Sequence, residues 1–410
     1  MPIRASGYLA AGPIALGLVR VIRHWLPQGH LPGDRMIVMP TGAGSAFVRA
    51  LAIFAALSAL AASPAPAQDA FTRMSGAGRD IRRTELGPGI YQFTTMRDSY
   101  VRQLNSIVIV NADDVLVFDT NTRPSSARLI LREIRRLTSK PIRFIVNSHG
   151  HPDHWSGNEV YHLAFPQAEI IATRRTAELM HQNVGLWIPR FTAQLTAMRQ
   201  ATDEEVRTGR RADGSPVTPE QLRQDQADVA DYATFLEETR SLHRIFPTLT
   251  FDRSMTLFHG GREFRFMSVM GDQEATTILY LPQEGLLLTG DAVSFPMPYV
   301  SHPRAHIETL RMLAGLHART IVPGHGPAFH DNGFLDLERE FFEAIVAEVQ
   351  DAQRRGVSGV EALRAAVTGA GMRERLAHGD ADLEARFTQR VRDIVAEVVA
   401  EQAAPPAESR

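Results

Sequence analysis

Ile142-Arg143-Phe144-Ile145-Val146-Asn147-Ser148-His149-Gly150-His151-Pro152-Asp153-His154 is the stretch from which the rest of the chain can be read. Ile142–Val146 has the composition of a short buried strand ending at Asn147. Directly after it, three histidines and one aspartate fall within six residues. His149 and His151 are two apart, so an extended loop points both the same way. Asp153 and His154 are adjacent and can diverge toward a second ion. One histidine is commonly a satisfied core or surface residue, but this pattern has no simple structural explanation. Neutral imidazoles crowded together favour a divalent cation such as zinc.

Further donors are expected where other strands end. Leu286–Thr289 runs into Gly290-Asp291, and Thr320–Val322 runs into Pro323-Gly324-His325-Gly326. In each case an apolar run delivers one potential ligand beside glycine, which lets backbone approach a crowded centre. Upstream, Ile90–Phe93, Ser106–Val110 and Val115–Asp119 read as strands, the last two joined as a hairpin through Asn111-Ala112-Asp113-Asp114. Ser125–Leu137 has helical spacing, with Ser125 or Ser126 as the cap. Glu169–Ala172, Arg262–Met267 and Thr277–Leu281 are further strands.

Two helical regions lie outside this pattern. Residues 192–242, broken by the charged 207–218 stretch, read as an insertion over one edge of the fold, either a lid or a solvated excursion. Residues 331–402 read as a helical extension, with Phe334, Leu337, Phe341, Ile345 and Val349 as a core-facing stripe. A polar tail follows at 403–410.

The 410 residues are 44% hydrophobic and 22% charged with a formal net charge of −2, a globular profile without the basic face of a nucleic-acid binder. There are no cysteines, which excludes disulfides, thiol nucleophiles and cysteine-ligated metals. Arg49, the apolar run Leu51–Ala62 and Ala65-Pro66-Ala67 together read as an export signal, too short to span a membrane. Residues 1–67 are therefore expected to be a leader and signal peptide, with 1–35 either upstream of a later true start or part of an unusually long signal or membrane-associated leader. The mature chain is expected in the periplasm or secreted.

The H-x-H-x-D-H run, the later Gly-Asp and the final Gly-His together resemble the metallo-β-lactamase superfamily, from about Ile90 to Pro327. The resemblance implies an α/β fold, the four-layer αββα sandwich, here at 68–330 with the helical insertion and C-terminal extension. It implies two metal ions at one edge, most simply zinc, with manganese or iron as alternatives. His149, His151 and a mid-chain residue would hold the first; Asp153, His154 and His325 would hold the second, with Asp291 bridging. The family's usual mid-chain histidine is absent, because no histidine occurs from Gly260 to Ser301. Asp272 fits the register and Glu274 is the alternative, an acidic choice that resembles alkylsulfatases of the superfamily.

The implied chemistry is hydrolysis by a metal-bridged hydroxide, with Asp153 orienting it, on an ester, thioester, lactone, sulfate or similar small molecule. The alternatives are β-lactam hydrolysis, an iron-dependent oxidoreductase like persulfide dioxygenase, and a non-catalytic binding protein with a weakened site. Asp119 could support the ligand loop, and Trp155, Tyr299 and His302 could line the pocket. Oligomeric state is open.

Overall fold

The structure is a computed structural model that describes residues 72–76, 79–96, 103–212, 214–377 and 379–403. The expected leader and signal, and the tail beyond Ala403, lie outside the described residues.

The strands are β1 (Thr72–Gly76), β2 (Arg79–Gly87), β3 (Ile90–Met96), β4 (Asn105–Val110), β5 (Val115–Phe118), β6 (Ile142–Val146), β7 (Glu169–Thr173), β8 (Leu249–Phe251), β9 (Ser254–His259), β10 (Arg262–Val269), β11 (Thr276–Leu281), β12 (Leu286–Gly290) and β13 (Thr320–Pro323). The helices are α1 (Pro124–Leu137), α2 (Pro152–Trp155), α3 (Asn158–Ala164), α4 (Arg174–Thr208), α5 (Pro219–Arg240), α6 (Pro303–Gly315), α7 (Gly333–Arg354), α8 (Val360–Ala366), α9 (Ala370–Ala377) and α10 (Ala381–Ala403). Strands β1 to β8 form one sheet in chain order, and the second runs β13-β12-β11-β10-β9.

The period-2 alternation of apolar side chains builds the layers. Ile107, Ile109, Leu116, Phe118, Phe144, Val146 and Ile171 of the large sheet face Phe264, Phe266, Leu279, Leu281, Leu286, Leu288 and Val322 of the small one. The intervening residues Val108, Val115, Val117, Ile145 and Ile170 turn the other way, onto Ile130 and Ile134 of α1 and Tyr161 of α3. On the opposite outside, Ile278, Leu287 and Ile321 pack on Leu310 of α6, Phe341 and Ile345 of α7, and Ile394 of α10. Because the central strands of each sheet carry bulky apolar residues on both faces, helices cover the outer faces while the inner faces meet, which gives the αββα sandwich.

Some local expectations are corrected. The N-cap of α1 is Arg123, which makes no side-chain cap bond, with Pro124 opening the helix. Ser125 instead donates from its backbone N and its Oγ to the Glu238 carboxylate on α5. The helical insertion begins at Arg174 rather than near 192, because α4 continues through Pro189 to Thr208. The charged break is real: α4 stops at Gly209 with φ 68°, and α5 restarts behind a Thr218–Gln221 capping box.

Candidate metal centre

Strands β5, β6 and β7 run parallel, so their C-terminal ends lie side by side. Phe118 leads into Asp119, and Val146 leads into the His149–His154 loop. From the small sheet, the β10–β11 loop brings Asp272, the end of β12 brings Asp291, and the end of β13 brings His325. The donors converge in three overlapping groups, each with ligand atoms within 4.8 Å of one another: His149, His151 and Asp272; Asp153, His154 and His325; His149, His154 and Asp291. His151 Nδ1 lies 2.8 Å from Asp272 Oδ2, and His149 Nε2 lies 3.5 Å from Asp272 Oδ1. Asp291 Oδ2 is 3.4 Å from His325 Nε2, 3.5 Å from His154 Nε2 and 3.9 Å from His149 Nε2. Asp153 Oδ2 is 3.5 Å from His154 Nε2 and 3.4 Å from His325 Nε2. Glu274 does not join any of these groups; it pairs with Arg175 of α4.

Asp119 organises two of the imidazoles. Its Oδ1 accepts from the Ser148 backbone N–H at 2.7 Å. Its Oδ2 accepts from the Ser148 hydroxyl at 2.8 Å and faces His154 Nδ1 at 2.7 Å. The Ser148 oxygen, having donated its proton, lies 3.0 Å from His149 Nδ1 and can accept from it. One carboxylate thereby sets both tautomers, with Nδ1 protonated and the Nε2 lone pairs of His149 and His154 turned toward the other donors. Asp119 adopts a left-handed φ of 58°, a modest strain that these bonds hold in place.

His325 is held from the opposite sheet. Asn105 Nδ2 donates to the Pro323 carbonyl at 2.8 Å and the Gly326 carbonyl at 2.9 Å. Gln92 Nε2 donates to the Gly326 carbonyl and to Asn105 Oδ1, and the Asn105 backbone N–H donates to the Gly324 carbonyl. Gly324 is required by space: a Cβ there would lie 2.0 Å from Asp291 Oδ1 and 2.9 Å from His154 Cε1.

Electrostatics show what this pocket can hold. Burial holds the His149 imidazole below its ordinary range. For His154 burial acts the same way, but Asp291, Asp153 and Asp119 outweigh it and hold the ring well above. Burial also opposes protonation of His325, yet Asp291 and Asp153 push it up to about 10. Burial would raise Asp153 and Asp291, but His154 and His325 hold both carboxyls well below the usual range. Protons on imidazole thus balance the carboxylates, and a cation can replace those protons. His154 Nε2, Asp272 Oδ1 and Asp291 Oδ1 are buried with no hydrogen-bond partner. Orphaned lone pairs and carboxylates facing one another are costly unless a cation takes them up, so this donor set fits divalent metal.

Trp155 is not a pocket residue: it is buried, its indole N–H donates to the Gly150 carbonyl, and its ring packs near Phe246. It holds the histidine loop from behind. Tyr299 is half-buried beneath the Arg390 guanidinium, 4.5 Å from the ring centroid. Burial, then Glu397, pushes its hydroxyl up. His302 occupies the N-cap position of α6, its Nδ1 3.0 Å from the Ser301 hydroxyl, outside the donor groups. The sequence reading missed Trp187 of α4, whose ring meets His151 edge-on with centroids 5.8 Å apart.

Known proteins resemble this chain in sequence and in fold. The family model described as the metallo-beta-lactamase superfamily matches residues 99–325. A linear primary-alkylsulfatase from Pseudomonas sp. (strain ATCC 19151) is 26% identical over 224 residues, 52% of this chain and 40% of that protein. The chain therefore spans less than half the length of that curated relative. Among solved structures, the stereoselective inverting sec-alkylsulfatase from Pseudomonas sp. superposes with a TM-score of 0.52 at 16% identity, covering 80% of this chain and 50% of that one. A metallo-beta-lactamase family protein from Thermus thermophilus gives 0.50 at 17% identity, covering 78% and 96%. At these identities the two structures speak for the fold. No helix among the described residues is long and apolar enough to cross a membrane.

Proposed function

Because this chain belongs to the metallo-β-lactamase superfamily, we propose that it is a metal-dependent hydrolase of a small anionic ester, a sulfate ester first among the candidates. The observation that carries the reading is the convergence of two donor triads on Asp291, with Asp272 standing where a third imidazole would be expected. Two divalent ions, most simply zinc, held by His149, His151 and Asp272 and by Asp153, His154 and His325, with Asp291 between, would lower the pKa of a water toward about 7 and offset charge on the substrate.

The chain's own residues do the remaining work. Asp119 and Ser148 keep the His149 and His154 rings in one tautomer and orientation. Asp153 Oδ2 lies near both Nε2 atoms, of His154 and of His325, which supports its reading as a metal ligand that also orients the nucleophile. The named activity of the Pseudomonas relative supports a sulfate over a neutral ester. The apolar run before Ala65-Pro66-Ala67 supports action outside the cytoplasm.

The test is elemental analysis of the purified full chain together with turnover of alkyl sulfate, thioester, lactone, phosphodiester and β-lactam substrates. It is repeated with Asp272→Ala and Glu274→Ala. Two equivalents of zinc, alkyl sulfate turnover, and loss of metal in Asp272→Ala alone are expected. Iron with oxygen uptake would replace hydrolysis with redox chemistry, and weak metal retention without turnover on any probe would leave a binding protein.

A further inference from the structure

The mouth of the centre is bordered by a helix whose register is tied to the donor loops. Thr173 caps α4 by accepting from the Thr176 N–H, and the hydroxyls of Thr173 and Thr176 both donate to the Ala275 carbonyl, three residues beyond Asp272. Gly150, between His149 and His151, lies so close that a Cβ there would be 3.4 Å from Leu179 Cβ and 3.6 Å from Met180 N. From Met180 the 3.6-residue period carries the same helix face through Val184, Trp187, Phe191 and Leu195. Met180 and Leu195 are buried, whereas Trp187 and Phe191 between them are only partly covered.

At that gap the chemistry changes. The Trp187 ring stands edge-on to His151, the exposed histidine of the first triad, with 31% of its side chain open. Phe191 stacks along Trp187 with centroids 6.1 Å apart. The Arg190 guanidinium lies 5.6 Å from the indole centroid. The Trp187 N–H is shielded from solvent and has no hydrogen-bond partner. A buried indole donor without an acceptor is costly by itself and favourable once a ligand oxygen arrives. Apolar ring faces, a waiting donor and a nearby cation, placed next to His151, match an amphiphile with an anionic head and an apolar tail.

Building on the hydrolase reading above, we propose that Trp187 is the specificity-determining residue of the site. Its N–H receives a head-group oxygen, and its face, extended by Phe191, carries the first part of an alkyl chain. The insertion helix thus acts as the wall that selects long-chain anionic esters over short ones.

The test uses the metal-loaded full chain and linear alkylsulfonates from butyl to dodecyl, below their micellar concentrations. These probes lack the ester bond and bind without turnover. Calorimetry and tryptophan fluorescence are read for the wild type, Trp187→Ala, Trp187→Phe and Phe191→Ala, with metal content measured for each. Wild-type affinity is expected to rise about threefold to fourfold per added methylene over the first several carbons. Trp187→Ala flattens that slope, weakens butylsulfonate about as much as Trp187→Phe does through the lost N–H, and leaves metal content unchanged. Trp187→Phe keeps the slope but weakens every probe about fivefold and abolishes the fluorescence response. Phe191→Ala reduces the slope for the longer probes. Equal weakening at all lengths in Trp187→Ala, loss of metal, or an unchanged slope overturns the proposal. Turnover of short substrates with no Trp187-dependent slope would sink this inference and leave the hydrolase reading standing. A Trp187-dependent slope without turnover on any substrate would do the reverse.

Discussion

Replacing Asp119 by asparagine removes one charge and almost no volume, yet it should disarm a centre that Asp119 does not itself enter. The carboxylate meets donors on both oxygens: the Ser148 N–H at 2.7 Å on one, and the Ser148 hydroxyl at 2.8 Å and His154 Nδ1 at 2.7 Å on the other. An amide has one acceptor oxygen, so either orientation sets an NH2 group against a donor. If the amide nitrogen faces Oδ2's partners, His154 must move its proton from Nδ1 to Nε2, the atom turned toward Asp153 and Asp291. The hydroxyl of Ser148 then reorients, and His149 loses its acceptor. Loss of such outer support costs about 10- to 100-fold in metal affinity, which is about 1.4–2.7 kcal/mol. A stable domain tolerates a loss of that size, so the variant should fold. The assay is competition with a chromophoric zinc chelator at fixed pH, with circular dichroism as the folding control. Asp119→Asn that keeps both ions within about threefold of wild-type affinity refutes the tautomer argument. Asp119→Ala should be less harmful to the first triad than to the second, because water can replace an acceptor but cannot orient His154.

Four further outcomes follow from the geometry. Gly324→Ala should yield a folded or partly soluble protein with the second metal equivalent lost, since its Cβ would fall on Asp291 Oδ1; full retention by elemental analysis contradicts the packing. Asn105→Ala strands the Pro323 carbonyl, leaves the Gly326 carbonyl to Gln92 alone and should cost about 1–3 kcal/mol in urea unfolding, with kcat reduced more than metal content. Glu274→Gln removes a half-exposed pair with Arg175 and should change stability by no more than about 1 kcal/mol, leaving metal content intact. For chelator-treated protein the signs are opposite on the two sides of neutrality. His154 and His325 are raised, so their stabilisation is present below the ordinary 6.5 and is lost as pH rises through their folded values, about 10 for His325. Asp153 and Asp291 are depressed, so theirs is present above the ordinary 3.8 and is lost as pH falls through the folded values. The Tm of the metal-free protein should therefore fall from pH 6.5 to 10 in scanning fluorimetry, while the loaded protein should not follow it.

The strands that carry donors were legible because they are largely buried and read as nearly continuous apolar runs: Ile142–Val146, interrupted only by the exposed Arg143, coincides with β6, and Leu286–Thr289 lies within β12. The strands that escaped are the polar ones. In β2, Arg79-Asp80-Ile81-Arg82-Arg83-Thr84-Glu85-Leu86-Gly87, Ile81 is fully buried but stands among charges. In β9, half-buried and exposed positions alternate on an edge strand that pairs with β10. The choice between Asp272 and Glu274 could not be made locally. The loop's register depends on the left-handed Ala275, on two threonines of α4 that bond its carbonyl, and on Arg175 drawing Glu274 away. Trp187 was hidden for a related reason: Gly185 and Pro189 flank it and mimic a loop, whereas the helix passes through both. Trp155 looked like a pocket residue because it adjoins His154, but the turn of α2 points it into the interior.

The donors come in roughly equal shares from the two halves of the sandwich: His149, His151, Asp153 and His154 from the large sheet, Asp272, Asp291 and His325 from the small one. A cation bound there rivets the halves together, and neither half alone offers it a full coordination sphere. Metal capture consequently reports that the chain has finished folding. At a thousandfold excess over Kd it adds about 4 kcal/mol to the assembled state and nothing to a half-docked one. Were such ions lost, the seam itself would loosen, coupling the lifetime of the chain to the readiness of its chemistry.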